Sequence, residues 1–208
     1  MKETKKELIT NFEKEMWNYL KRELSDYPEI KVIKNKIFIT HKDSEAFSTL
    51  SFQYLTNSNA YEIIHFVEHP VLQTEIHNIA PPYPSNLSNA NFVYSMSTVS
   101  EKDGCIILPV TEKGIEYTCE LILSRIKNIY LPIIFNLFNI NLKLIDNVLN
   151  KPKYYSYPFL LILIAMKNNN MKPEEIIITK ILSEETLGYT NNKQLKKVFN
   201  QQQLAKYI

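Results

Sequence analysis

Residues 65–69, "HFVEH", hold two imidazoles and a carboxylate at the H-x-x-E-H spacing of an inverted zinc-peptidase motif. On a helix, that spacing lines His65 and His69 along one face, where they could grip a metal ion with Glu68 beside them as general base. A third ligand, usually acidic, would come from a later helix. The flanking residues predict a different backbone. "YEIIHFV" is rich in β-favouring Tyr, Ile, Phe and Val and follows the hairpin signal "NSN". In a strand, His65, Val67 and His69 share one face and Glu68 points to the other, so base and metal would be separated by the sheet. Pro70 would also cut short any helix directly after the second histidine. A helix capped by Asn57 or Asn59 is the competing conformation, and with it a metal-dependent hydrolase built on His65, Glu68 and His69. A weaker variant brings His65, His69 and His77 together on adjacent strands to bind metal without hydrolysis. The reading adopted is a strand carrying exposed or half-buried imidazoles, with no metal, no cofactor and no catalytic residue.

Other chemistries find no anchor. A G-x-S-x-G elbow is absent. Cys119 lies inside the helical run "IEYTCELILSRI" and Cys105 in the apolar run "CIILPV", so both read as small buried hydrophobes rather than a nucleophile, a disulfide or a C-x-x-C pair. The paired acids Glu174-Glu175 and Glu184-Glu185 fall at expected helix ends, where caps and solvation explain them. Only three glycines occur, Gly104, Gly114 and Gly188, too far apart for a phosphate-cradling loop; this removes Walker-type and dinucleotide-binding enzymes. A formal charge of +2 makes no broad case for nucleic acid or an anionic membrane, and Lys5-Lys6 and Lys196-Lys197 read as solvated helix faces.

Aromatic residues are the more suggestive signal. Tyr83 lies in the proline-rich stretch "APPYPSNLSNANF" at 80–92, and Tyr154, Tyr155 and Tyr157 crowd "KYYSY" between two expected helices. Tyrosine offers a large contact area, loses little entropy and has a polar tip, which makes it a recurrent interface residue. These four side chains are therefore the candidate partner-binding residues; the other reading is that "YYSY" packs a junction between helices.

The elements that position these groups follow from periodicity. Leu8, Phe12, Met16, Leu20 and Leu24 recur every four residues, widened by Ile9 and Trp17, predicting a helix over 4–25 that "SDYP" ends. Strand signals follow: "EIKVIKNKIFITHK" bent at Asn35, "AFSTLSFQYLT", "AYEIIHFVEH", a further short strand at "LQTEIHNI", then "FVYSMSTVS" and "GCIILPV". From Thr111, a capping residue, the chain reads as helix: "EKGIEYTCELILSRIKNIYL", kinked or ended by Pro132; "FNINLKLIDNVLN"; the apolar "YPFLLILIAMKNNN"; "KPEEIIITKILSEE"; and a last amphipathic helix through Leu195, Val198, Phe199 and Leu204. The expected fold is α+β: an N-terminal helix, a mostly antiparallel sheet of about five or six strands, then a C-terminal run of four or five helices. It is expected as one domain over 1–208, with helix and sheet in 1–110 and a helical half in 111–208. The N-terminal residues lack an apolar targeting segment and "PFLLILIAM" is too short to span a bilayer, predicting a cytoplasmic protein off the membrane.

The helix, then "STLSFQYLT" and "AYEIIHFVEH", then a helix leading into "IKNIYLPIIFNLF", resembles small bacterial α+β families of unknown function, some of whose members are immunity proteins against antibacterial toxins. The resemblance covers roughly residues 5–150, and "YLP" at 130–132 is its most specific part. It carries no catalytic motif. It implies a non-enzymatic protein-binding module that neutralises a cognate toxin by steric occlusion. A pI of about 8.3 departs from the acidic character of many immunity proteins, implying a toxin that is not strongly basic or is met by shape and aromatic contacts.

Overall fold

The N-terminal periodicity becomes helix α1, Lys5–Glu23. Thr4 caps it: its hydroxyl accepts the Glu7 N–H at 3.3 Å while the Glu7 carboxylate accepts the Thr4 N–H at 2.7 Å. Those bonds to Thr4 hold the Glu7 carboxyl below its usual range. Phe12, Met16, Trp17, Leu20 and Leu24 are buried. Trp17 meets Phe52 edge-on at 5.1 Å, and Phe12 meets Tyr61 at 5.3 Å. Each fully buried side chain of this kind contributes about 1.5–3 kcal/mol of transfer free energy.

The structure is a computed structural model and describes residues 4–101, 104–171 and 191–207. Strands β1 (Ile30–Ile33), β2 (Lys36–Thr40), β3 (Phe47–Leu55), β4 (Ala60–Glu68), β5 (Tyr94–Ser97) and β6 (Ile106–Ile107) form one antiparallel six-stranded sheet. Its order is β1-β2-β3-β4-β5, with β6 also pairing β4 through Ala60↔Ile107 and Tyr61↔Ile106. The two tight hairpins turn where asparagine was expected to turn them: Asn35 and Asn59 both adopt left-handed backbone, φ 65° and 50°.

The stretch after β4 corrects an expectation. "LQTEIHNI" is helix, not strand, within α2, Pro70–Ile79. Pro70 does not terminate a helix; it starts one, because the first helical position needs no N–H donor and favours proline's fixed φ. Leu72 and Ile76, four residues apart, are the buried face of α2.

Helix α3, Glu112–Arg125, begins at its expected cap, with the Gly114 N–H donating to Thr111 Oγ1 at 3.1 Å. Pro132 does not end the helix. A π-turn at Ile126–Tyr130, closed by the Leu131 N–H on the Ile126 carbonyl, widens the backbone before the proline, and α4 continues over Leu131–Phe138. By length and composition this run from Glu112 to Phe138 could cross a bilayer, a test that core helices of soluble proteins also pass. Ile122, Ile126, Ile134 and Leu137 along it are fully buried.

Helices α5 (Lys143–Asn150) and α6 (Pro158–Asn168) follow, and α7 (Lys193–Tyr207) is the last. All residues from Pro158 to Met166 are buried, and α6 packs against α2, α5 and α7. In α7 the expected stripe is shifted: Phe199 and Leu204 are buried but Leu195 and Val198 are exposed. The helix expected at 173–185, with its two acid pairs, lies outside the described residues.

The described residues gather into two compact units. One comprises those within 1–42, 47–66 and 96–132; the other, those within 43–46, 67–95 and 133–208.

Candidate functional site

The H-x-x-E-H residues lie where strand β4 passes into α2. The strand's burial alternates, Tyr61, Ile63, His65 and Val67 inward and Glu62, Ile64, Phe66 and Glu68 more exposed, so Glu68 is across the pleat from His65. The expected exposure of the imidazoles is corrected: both histidines are buried. His65 Nε2 lies 3.1 Å from Ser48 Oγ, and that hydroxyl spends its proton on the Phe66 carbonyl at 3.0 Å. Nε2 is therefore the donor to Ser48. The ring also meets Tyr130 edge-on at 5.7 Å. Burial pushes the His65 pKa down to about 3, so the imidazole is neutral across ordinary pH.

His69 has a different task. Its backbone is extended at the N-cap of α2, and its Nδ1 accepts the Leu72 N–H at 3.4 Å. Nε2 then carries the proton and donates to the Phe138 carbonyl at 3.4 Å. His77, expected on a strand, is exposed in the last turn of α2. Burial raises the Glu68 pKa. Among the described residues no group of three or more His, Cys, Asp and Glu is arranged to hold a metal ion.

The tyrosines proposed as an exposed surface are also corrected. Tyr83, Tyr154 and Tyr155 are buried and Tyr157 is half-buried. The Tyr83 hydroxyl donates to Asn200 Oδ1 at 2.9 Å, its ring meets Phe199 edge-on at 5.7 Å, and Lys196 Nζ lies over its face at 5.6 Å. Tyr155 packs edge-on against Tyr94 at 5.0 Å, and the two residues form a β-bridge. Residues 80–92 are a loop, as the prolines and repeated Ser and Asn predict. Its backbone is tied to the tyrosine segment: the Asn86 N–H donates to the Ser156 carbonyl at 2.8 Å, and the Ser156 N–H to the Val93 carbonyl at 3.0 Å. Desolvation raises the pKa of Tyr83, Tyr155 and Tyr157, as befits packed rings.

Two surfaces that the sequence reading passed over stand out. The four most exposed large hydrophobic side chains among the described residues are Val99 (59%), Ile107 (75%), Val110 (69%) and Tyr117 (67%), all in one stretch of chain around β6 and the start of α3. Ile107 and Val110 lie in "CIILPV", which had read as a strand with a buried cysteine; only two of its residues pair, and Cys105 is half-buried. The second is a groove of about 520 Å³ between α1 and α3, walled by Glu15, Tyr19 and Arg22 on one side and Glu112, Glu116 and Cys119 on the other. Its signal in sequence was present: Asn11, Glu15, Asn18, Tyr19 and Arg22 recur at helical spacing along the flank of the apolar stripe. Burial first, then the Glu15 and Glu120 carboxylates, push the Cys119 thiol up to about 11, so it stays protonated.

Fold and site define an α+β protein whose two motif histidines are buried and hydrogen-bonded within the fold, with exposed apolar and charged side chains along α1, β6 and α3. No protein family, curated protein or solved structure matches this chain.

Proposed function

We propose that this protein is a non-enzymatic protein-binding module, of the kind of an immunity protein that neutralises a bacterial toxin by covering its active site or another working surface. The observation that carries the reading is the concentration of exposed Val99, Ile107, Val110 and Tyr117 in one stretch. Scattered surface hydrophobes are ordinary, but large ones gathered about an edge strand and a helix start offer a partner both apolar area and unpaired backbone. The buried roles of His65 and His69 support it further, since each imidazole already serves the fold.

The mechanism is steric. A sheet backed by α1 holds β6 and the α3 N-terminus in place, so little ordering is lost on docking and binding energy goes into occlusion. The contact surface moves accordingly from Tyr83, Tyr154, Tyr155 and Tyr157 to residues 99–117.

Co-expression with the product of the adjacent gene tests this. The protein co-purifies with that product and protects cells from it, and Ile107→Glu weakens capture at least about tenfold, the loss of a central apolar contact. A protein that neither binds nor protect cells from its neighbour's product is not an immunity protein, and unchanged capture by Ile107→Glu removes this surface.

A further inference from the structure

The groove between α1 and α3 carries charge that the fold does not use. Among the described residues, no ion pair or hydrogen bond reaches Glu15, Glu112 or Glu116. Arg22 is the one cation on its walls, and its Nε is taken by Glu23 at 2.9 Å while its guanidinium lies over the Tyr19 ring at 5.1 Å. The walls are thus negative in a chain whose formal charge is +2, so the sign here is set locally against the whole.

The remaining lining suits the same chemistry. Asn11 and Asn18 supply amide carbonyls that accept from a cation's N–H groups, and Tyr19 and Ile115 give the floor an apolar, partly aromatic character. A guanidinium is planar, weakly hydrated and stacks on tyrosine while donating in the ring plane, and Arg22 already shows that stacking on Tyr19. Negative walls, amide acceptors and an aromatic floor together match arginine better than they match a metal ion or a strongly hydrated ammonium.

Dimensions favour a segment over a single side chain. From Asn11 to Arg22 the α1 wall is about 16 Å long at 1.5 Å per residue, the reach of about five extended residues. Both walls are regular helix, α1 and α3 pack against each other, and neither wall needs rearrangement to present its carboxylates.

We propose that the α1–α3 groove receives an arginine-bearing basic segment of the partner protein. This rests on the protein-binding reading above and names the chemistry of what is bound. Basic character is required of that segment alone; a chain of formal charge +2 does not call for a partner that is basic as a whole. Tyr117, exposed on α3 one residue from Glu116, links this groove to the apolar stretch 99–117.

The test uses the full chain and a fluorescent arginine–glycine peptide, with lysine–glycine and glutamate–glycine peptides as the other arms. The arginine peptide binds saturably, more tightly than the lysine peptide, and weakens as salt rises; the glutamate peptide does not bind. Glu15→Lys/Glu116→Lys lowers the affinity at least about tenfold, since close charge pairs at an interface couple by more than a kcal/mol. Asp26→Lys/Asp43→Lys, equal in net charge change and at residues that do not line the groove, leaves it unchanged. Glu15→Gln/Glu116→Gln, which keeps shape, loses affinity in the same direction and guards against misfolding of the reversed pair. Absence of arginine-peptide binding, or equal loss in both charge-reversed pairs, overturns the proposal. Capture of the neighbouring gene product separates the two readings. If wild type and Glu15→Lys/Glu116→Lys capture it equally, the groove is refuted and the binding module stands. If the peptide binds in the groove and no protein is captured, the function above is refuted together with the groove's assignment to a protein partner.

Discussion

The aromatic junction of residues 80–93 with 151–157 and the groove between α1 and α3 are opposites in construction. At the junction, the rings of Tyr83, Tyr154 and Tyr155 are buried, backbone groups of Asn86, Val93 and Ser156 are bonded across the two segments, and the Tyr83 hydroxyl has Asn200. In the groove, carboxylates stand exposed and unpaired among the described residues beside a half-buried ring. The difference teaches that the junction tyrosines serve cohesion, whereas the groove leaves carboxylates without an internal partner among the described residues. His65 and Glu15 repeat the contrast inside the first unit. The imidazole is interior and neutral; the carboxylate is on the surface.

Three measurements can break or sharpen this contrast, in order of effect. Tyr155→Ala removes a fully buried ring against Tyr94 and is expected to lower unfolding free energy by about 3–5 kcal/mol, read by chemical denaturation. A loss below about 1 kcal/mol would return the 153–157 segment to the surface as an interface candidate. The second concerns His65. Its folded pKa of about 3 lies below the unfolded 6.5, so its contribution is full above pH 6.5 and is lost as pH falls toward 3, because the unfolded chain takes up the proton first. The expected slope is about 1.4 kcal/mol per pH unit in that window. His65→Asn, though less stable, loses that slope; a wild-type protein whose stability is flat from pH 6.5 to 4, once carboxylates are accounted for, would mean an imidazole open to water. The smallest effect belongs to the groove: Glu15→Gln/Glu116→Gln is expected to change stability by no more than about 0.5 kcal/mol, since neither carboxylate holds the fold. A thermal-melt shift corresponding to more than about 1 kcal/mol would show that these charges are structural.

Much of the architecture was legible because periodicity is a local property. The four-residue stripe from Phe12 to Leu24, the asparagine turns at Asn35 and Asn59, the Thr111 cap and the apolar run from Pro158 to Met166 all formed the elements their spacing predicts. Pro70 misled, and Pro132 left kinking and ending both open, for one reason. Proline removes an N–H and fixes φ, but whether this ends a helix depends on its position: at Pro70 the N–H was not needed, and before Pro132 a π-turn absorbed the clash. The site was harder to read. An exposed tyrosine and a buried one have the same letter, and so do a paired and an unpaired glutamate.

Strand character at 61–68, and with it the separation of Glu68 from His65 across the pleat, was written into the order of residues, because a two-residue alternation follows from backbone geometry alone. That His65 is sealed against Ser48 and Tyr130, that the tyrosines close a junction, and that α1 and α3 leave carboxylates along a groove were settled only by folding. Burial and charge pairing depend on which distant segments meet, and no local pattern encodes that meeting.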